Sequence, residues 1–234
     1  MERTAGGNQV KSEGRSLKSE AGPALVCFAL KEEARAFQKL SAGDRSVAVL
    51  ITGMGKENSR RALLARLKEF TPAFVLTCGF AGGLSPELGI GDVLFSSDDP
   101  NLRARLTAAR AQPAKVFCAT RIATTVAEKA ELRRTTGADA VEMESTAFVE
   151  VCGARGISFA IVRAISDTAH DNLPLDFNEL SNPDLSLNFG KLAWTIAKSP
   201  GKIPALLRLQ KNSSRAAGRL AEVLMKVVSP TKLH

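Results

Sequence analysis

The sequence predicts an α/β protein: a sheet covered on both faces by helices, three layers deep. Two observations carry this. Short runs such as Ala24–Leu30 and Ser158–Val162 are almost wholly apolar, without alternation, as strands buried on both faces must be. These runs alternate along the chain with segments of helical periodicity, the pattern of strands joined by crossover helices. Length agrees, since 234 residues suit one large α/β domain. A composition of 44% hydrophobic and 24% charged residues, with mean hydropathy −0.02, fits a soluble globular chain. It argues against a collagen-like, disordered or membrane-spanning one. The longest apolar runs are far short of the ~20 residues of a spanning helix.

In chain order, residues 1–22 mix Gly, Ser, Lys, Glu and Arg without period and are expected to be a disordered lead-in. They contain no apolar signal-peptide segment. A first strand over 24–30 precedes a helix over 31–40, with Ala34, Phe37 and Leu40 on its inner side. A strand over 46–51, the Gly-rich turn Thr52–Lys56 and a helix over 57–70 follow, with Leu63, Leu64 and Leu67 inward. The strand over 73–78 is expected to close in a loop, Gly79-Phe80-Ala81-Gly82-Gly83. Next come a strand over 91–96, a short helix over 102–110, a strand over 115–119 and helices over 123–134 and 143–154. The strand over 157–165 completes the domain, taken as 23–200. Beyond Asp171, Pro174, Pro183, Pro200 and Pro204 punctuate a looser region with short helices over 177–180 and 187–198. An amphipathic helix over 205–228 dominates the terminal segment 201–234.

The formal net charge of +8 is carried almost wholly by residues 191–234, where Glu222 is the single acid. This reads either as the solvated side of a helix packed on the domain or as an address for an anionic membrane surface. Nucleic acid is an unlikely partner on composition, aromatics being 5% of the chain. Cys27, Cys78, Cys118 and Cys152 lie in apolar stretches without a CxxC pair, so buried, reduced thiols and a cytoplasmic protein are expected. With His170 and His234 the only histidines, no metal site is expected.

Three segments put polar residues where buried strands end, which is where open α/β sheets bind ligands. Glu32-Glu33 reads either as carboxylates facing that crevice or as acids favoured by a helix N-terminus. The Gly79–Gly83 segment is either a backbone cradle for a ligand or a plain turn. Thr52–Lys56 has the wrong glycine spacing for a Walker A loop, although its helix N-terminus could hold an anion. Val141-Glu142-Met143-Glu144 and Arg163-Ala164-Ile165-Ser166-Asp167 place charges that need partners or a substrate. A buried structural Glu–Arg pair is the alternative.

Taken together, Thr52-Gly-Met-Gly-Lys56, Gly79-Phe-Ala-Gly-Gly-Leu84, Gly91-Asp-Val93, Val141-Glu-Met-Glu-Ser145 and Val162-Arg-Ala-Ile-Ser-Asp167 resemble the purine nucleoside phosphorylase/methylthioadenosine nucleosidase superfamily, in order and spacing from about residue 24 to 170. Gly137–Ser145, Asp171-Asn-Leu-Pro174 and Ile203-Pro-Ala-Leu-Leu-Arg-Leu209 are similar to its hopanoid-biosynthesis branch. The resemblance implies a mixed, mostly parallel sheet and cleavage of the N-glycosidic bond of a 5′-substituted adenine nucleoside, adenosylhopane being the best match. No cofactor is implied beyond phosphate as a possible co-substrate, and a homo-oligomer is expected.

The same resemblance assigns roles. Asp167 would assist protonation of the leaving purine at N7, Glu33 would activate water, and Arg163 would neighbour the nucleophile site. Glu144 would accept both ribose hydroxyls and favour the developing ribosyl cation. Met143 would pack on the ribose, with Glu142, Gly79, Phe80, Ala81, Gly82, Ile122 and Ser166 completing the substrate site. Phe80 stands where the nucleosidases carry a serine, and Ile122 where a phenylalanine would stack on adenine. The segment between Ser97 and Lys115 is short, implying an open 5′ side that admits a lipid tail, and the basic C-terminal helix is the expected point of peripheral contact with the inner membrane. The alternatives are a nucleosidase for methylthioadenosine, S-adenosylhomocysteine or futalosine, and a nucleoside-binding protein without catalysis. Water and phosphate both remain open as nucleophile.

Overall fold

The computed structural model describes residues 22–180, 182 and 189–229. The expected lead-in, the first residues of the 187–198 helix and the last five residues lie outside them. The sheet has eight strands: β1 (Ala24–Phe28), β2 (Val47–Ile51), β3 (Val75–Gly83), β4 (Val93–Ser96), β5 (Gln112–Pro113), β6 (Val116–Cys118), β7 (Ala140–Glu142) and β8 (Phe159–Asp167). Its main path runs β2-β1-β3-β8-β4-β5, with β7 joined to β3 and β6 to β7. The β3–β7 and β4–β8 pairs are antiparallel and the rest parallel. This is the mixed, mostly parallel sheet expected.

Alternation within the central strands sorts the core into two layers. Val26 and Phe28 pack with Leu76, Val162 and Ala164 on one face, whereas Leu25 and Cys27 pack with Val75 on the other. The first face is covered by α1 (Lys31–Leu40), α3 (Pro100–Ala108) and α7 (Ile203–Val228), through Phe37, Leu106 and Leu220. The second is covered by α2 (Lys56–Arg66) and α5 (Ser145–Gly153), through Leu63, Phe148 and Val151. The remaining helices are α4 (Val126–Thr136), which Thr125 caps, and α6 (Phe189–Lys198).

Several sequence expectations are corrected. The Gly79–Gly83 segment is no loop: β3 continues through it, paired with β8 and, after a bulge at Ala81/Gly82, with β7. Residues 177–180 form turns rather than a helix. Leu40 is 55% exposed instead of inward, and Cys118 is half-buried, while Cys27, Cys78 and Cys152 are buried free thiols. The helix expected over 143–154 begins only at Ser145, since Met143 and Glu144 form the bend that follows β7. Among the described residues no helix is long and apolar enough to cross a membrane.

The terminal helix is divided along its length. From Ala216 to Val228 it is core, with Leu220, Leu224 and Val227 fully buried against the sheet and α1. Its first three turns rise past the carboxyl ends of the strands and leave Ile203 and Leu207 exposed. Leu220→Ala should therefore cost about 2–5 kcal/mol, whereas Leu207→Ala should change stability by no more than about 0.5 kcal/mol. Urea denaturation of the two variants checks the contrast.

Candidate active site

Burial of β8 carries an arginine into the sheet, and its partners define the site. Arg163 is 1% exposed. Its Nη2 donates to Glu142 Oε2 and, at 3.2 Å, to Thr77 Oγ1, and lies 3.7 Å from Glu144 Oε2. Glu142, at the end of β7, is saturated: it also accepts from the backbone N–H of Glu144 and Ser145 and from Ser145 Oγ. Burial opposes its charge, but Arg163 and these donors hold its carboxyl below the usual range.

Glu33 projects from the first turn of α1. Its Oε2 accepts from the N–H of Leu30 and its Oε1 from the N–H of Phe80, both at 2.9 Å. Both readings of this acid hold at once, because it caps its own helix and reaches the end of β3. The approach requires glycine at 79, where a Cβ would lie 2.7 Å from Glu33 Oε1. Burial raises the Glu33 pKa, only partly offset by the two N–H donors and Arg163.

Glu144 follows β7 and accepts from Gly55 N–H at 3.0 Å, so the Thr52–Lys56 turn spends a backbone donor on a carboxylate. Burial, with Glu142 and Glu33 nearby, outweighs Arg163 and pushes Glu144 up to about 7. Asp167 ends β8 opposite Gly82, where a Cβ would stand 3.2 Å from Oδ2. Its Oδ1 accepts from Ser166 Oγ at 2.8 Å and its Oδ2 from Lys129 Nζ at 2.5 Å.

A cleft of about 230 Å³ opens at this end of the sheet. Of the residues singled out from sequence, Glu33, Phe80, Ala81, Gly82, Ile122, Glu142, Met143, Glu144, Ser166 and Asp167 line it. Gly79 and Arg163 do not: Gly79 lies beneath Glu33, and Arg163 stands behind the wall, engaged by acids. Met54, Leu173, Phe177, Leu209 and Ser213 complete the wall, placing α7 over the site. No residue of the short 97–115 segment is among the lining ones. Among the described residues no cluster of three or more His, Cys, Asp or Glu could hold a metal ion.

The family model described as the phosphorylase superfamily matches residues 27–114 and 99–198. The chain belongs to the phosphorylase superfamily. A 5′-methylthioadenosine/S-adenosylhomocysteine nucleosidase of Marinomonas sp. (strain MWYL1) is 29% identical over 170 residues, 58% of this chain and 74% of that protein. The enzyme of that name from Shewanella halifaxensis (strain HAW-EB4) is 26% identical over the same shares. Among solved structures, futalosine hydrolase of Helicobacter pylori strain 26695 superposes with TM-score 0.68 at 17% identity, over 90% of this chain and 99% of that one. A Neisseria meningitidis 5′-methylthioadenosine/S-adenosylhomocysteine nucleosidase in complex with methylthio-immucillin-A gives TM-score 0.68 at 18% identity, over 89% and 99%. The protein is thus a superfamily enzyme of the nucleosidase or nucleoside phosphorylase type.

Two functional neighbours escaped the sequence reading of this superfamily member. Thr77 looked like one more residue of a buried strand. Lys129 looked like part of the solvated face of a charged helix, yet it is 0% exposed. The available signal was its spacing, three residues after Val126 and three before Leu132, on the inward stripe of α4.

The Glu144 pKa has a consequence for stability. A carboxyl raised on folding contributes stability that is full below its ordinary pKa and lost as pH rises through about 7. Glu144→Gln keeps an acceptor without the charge. It should be more stable than the parent at pH 8, by up to about 3 kcal/mol, with the difference vanishing toward pH 4. Urea denaturation at both pH values reads this directly.

Proposed function

We propose that the protein hydrolyses the N-glycosidic bond of a 5′-substituted adenine nucleoside, releasing adenine, and that its substrate is lipid-linked, of the adenosylhopane type. The observation that carries the reaction is that Glu33, Glu144 and Asp167 meet in one cleft, where the one cation among the described lining residues, Arg121, is paired with Glu128. Breaking the bond from C1′ to the purine leaves positive charge on the ribose ring, and an enzyme gains by stabilising that charge more than the ground state. Glu144 accepts the ribose hydroxyls and places its charge beside the forming cation, with Met143 against the sugar. Glu33, its pKa raised by burial, takes a proton from water as the oxygen bonds to C1′. The electrons of the broken bond pass to the purine, which takes up at N7, relayed through solvent, the proton equivalent that Glu33 removed from the attacking water, and Asp167 accepts from that N7–H as the base leaves.

Water is favoured over phosphate because a phosphate site needs free N–H or cationic donors. Arg163 is committed to Glu142 and Glu144, and Arg121, the cation in the wall, pairs with Glu128. The lipid-linked substrate is supported by α7. Leu209 and Ser213 face the cleft, while Leu207 and Ile203, 60% and 41% exposed, precede Leu209 along the helix by about half a turn and just under two turns. Trp194 on α6 is 64% exposed, with Lys198 Nζ 4.5 Å from its ring. Ile203 and Leu207, set among Lys202, Arg208 and Lys211 on the turns of α7 that carry Leu209 and Ser213, form an apolar edge that suits an anionic lipid surface. A small-substrate methylthioadenosine-type nucleosidase is the second reading, favoured by the names of the relatives.

Adenine release from adenosylhopane and methylthioadenosine, each with and without phosphate, tests the proposal. The lipid substrate should react without phosphate, and turnover of methylthioadenosine alone would select the second reading. Glu33→Gln and Asp167→Asn should each lower kcat by at least about 100-fold. Because Glu144 must be ionised to accept hydroxyls, kcat/KM should fall as pH drops through about 7.

Sedimentation with phosphatidylglycerol vesicles tests the docking edge. Leu207→Glu should abolish salt-sensitive binding; equal binding of variant and parent would remove the membrane from the proposal. Deleting residues 201–234 is no substitute, since it removes Leu220 and Leu224 from the core.

A further inference from the structure

Lys129 is the one fully buried lysine among the described residues, and its ammonium is fully spoken for. Its Nζ donates to Asp167 Oδ2 at 2.5 Å, to the carbonyl oxygen of Thr168 at 2.7 Å and to that of Asp171 at 2.9 Å. An ammonium has three donors and no acceptor, so the set is saturated. Two of the three bonds tie it to the turn that follows β8, which Thr168 and Asp171 close on themselves. The charge is thereby fixed in position relative to the Asp167 carboxylate, with side-chain exposures of 0% and 10%. Burying an ion pair is costly and brings little net stability, so its place beside the cleft calls for a use.

We infer that Lys129 is a positioning residue that sets the enzyme's selectivity for 6-aminopurines. The inference rests on the nucleoside reading above and adds the determinant of base choice. Paired with Lys129, Asp167 presents acceptors alone. A carboxylate has about four lone-pair sites, and the bonds from Lys129 and Ser166 occupy two, leaving acceptor capacity on a residue that lines the cleft. The edge of adenine carries the 6-amino donor beside N7. When N7 is protonated, two adjacent donors face a carboxylate's two oxygens, so the contact is strongest for the leaving base. A 6-oxopurine places a carbonyl oxygen where the amino group would be, lone pairs against lone pairs. Without the lysine nothing fixes that carboxyl against the 6-position, it is free to turn away from a carbonyl oxygen, and the discrimination would be lost. Selectivity here comes from a built-in repulsion as much as from attraction.

The test is calorimetric binding of free adenine and free hypoxanthine to the full-length protein, alongside a thermal melt of every variant. The parent should prefer adenine by at least about 100-fold, a conservative floor beside the roughly 10⁴–10⁵-fold by which sites built for a substrate N–H reject analogues lacking it. Lys129→Met should bring the two purines within about 10-fold of each other. Should that variant fail to fold, the double variant Lys129→Met, Asp167→Asn removes both charges while leaving an amide that donates and accepts, and should likewise bind both bases. An unchanged preference in a folded variant overturns the role of Lys129 and leaves the nucleoside reading intact. A parent that binds neither purine overturns both. A parent that binds the two equally overturns the selectivity alone.

Discussion

One buried guanidinium organises this protein's chemistry. Arg163 is held in the sheet with Glu142 directly on it and Glu144 next, while the charge of Glu33 also acts on it. A single cation cannot neutralise three acids. Glu142 takes the bonding and is held below the usual carboxylate range, while burial raises Glu33 and Glu144, and the charges of Glu142 and Glu33 raise Glu144 further. A cleft with more carboxylate than countercharge is a poor home for phosphate and a good one for a ribosyl cation. The same imbalance makes the free enzyme less stable as pH rises, so stability is given up where function needs negative charge.

Much of the frame was legible because double-sided burial leaves a strong mark. All of β1 and the first four residues of β8, Phe159–Val162, are apolar at every other step and at the steps between, which a half-exposed strand would not tolerate. The loop reading of Gly79–Gly83 failed for an equally physical reason. Glycine normally weakens a strand, but here the absent side chains make room for Glu33 and Asp167, so the sequence signal for a turn was really a signal for a crowded site. β7 was missed because three residues ending in an acid offer no periodicity.

Legibility of the site followed side-chain chemistry. Glu33, Glu144 and Asp167 stood out because acids at strand ends are costly without a purpose, and the structure gathers them into one cleft. The alternative reading of Glu142 and Arg163 as a structural pair describes their contacts well, although that pair also forms the back of the site. Lys129 was invisible because a lysine in a charge-rich helix is nearly always solvated; its partner Asp167 lies 38 residues away, and nothing local marks that contact.

The basic terminal helix shows why charge alone could not choose between its two readings. The packed reading holds for its second half, and the exposed first half is where the proposed membrane contact would lie. The second half buries Leu220, Leu224 and Val227 as an ordinary core helix, and its arginines lie on the outer side. The first half has no sheet beneath it and offers one side to the cleft through Leu209 and Ser213 and another to solvent through Ile203 and Leu207. Anchoring and exposure are therefore coupled mechanically. A helix fixed along its last three turns holds its first turns rigidly at the mouth of the site, so whatever surface those turns meet is presented to the cleft at a set distance. A small water-borne substrate has no need of such an edge, whereas one embedded in lipid must be lifted only far enough for its sugar to reach Glu144. On that ground the wall formed by α7, more than the site's carboxylates, separates the lipid-linked reading from the small-substrate one.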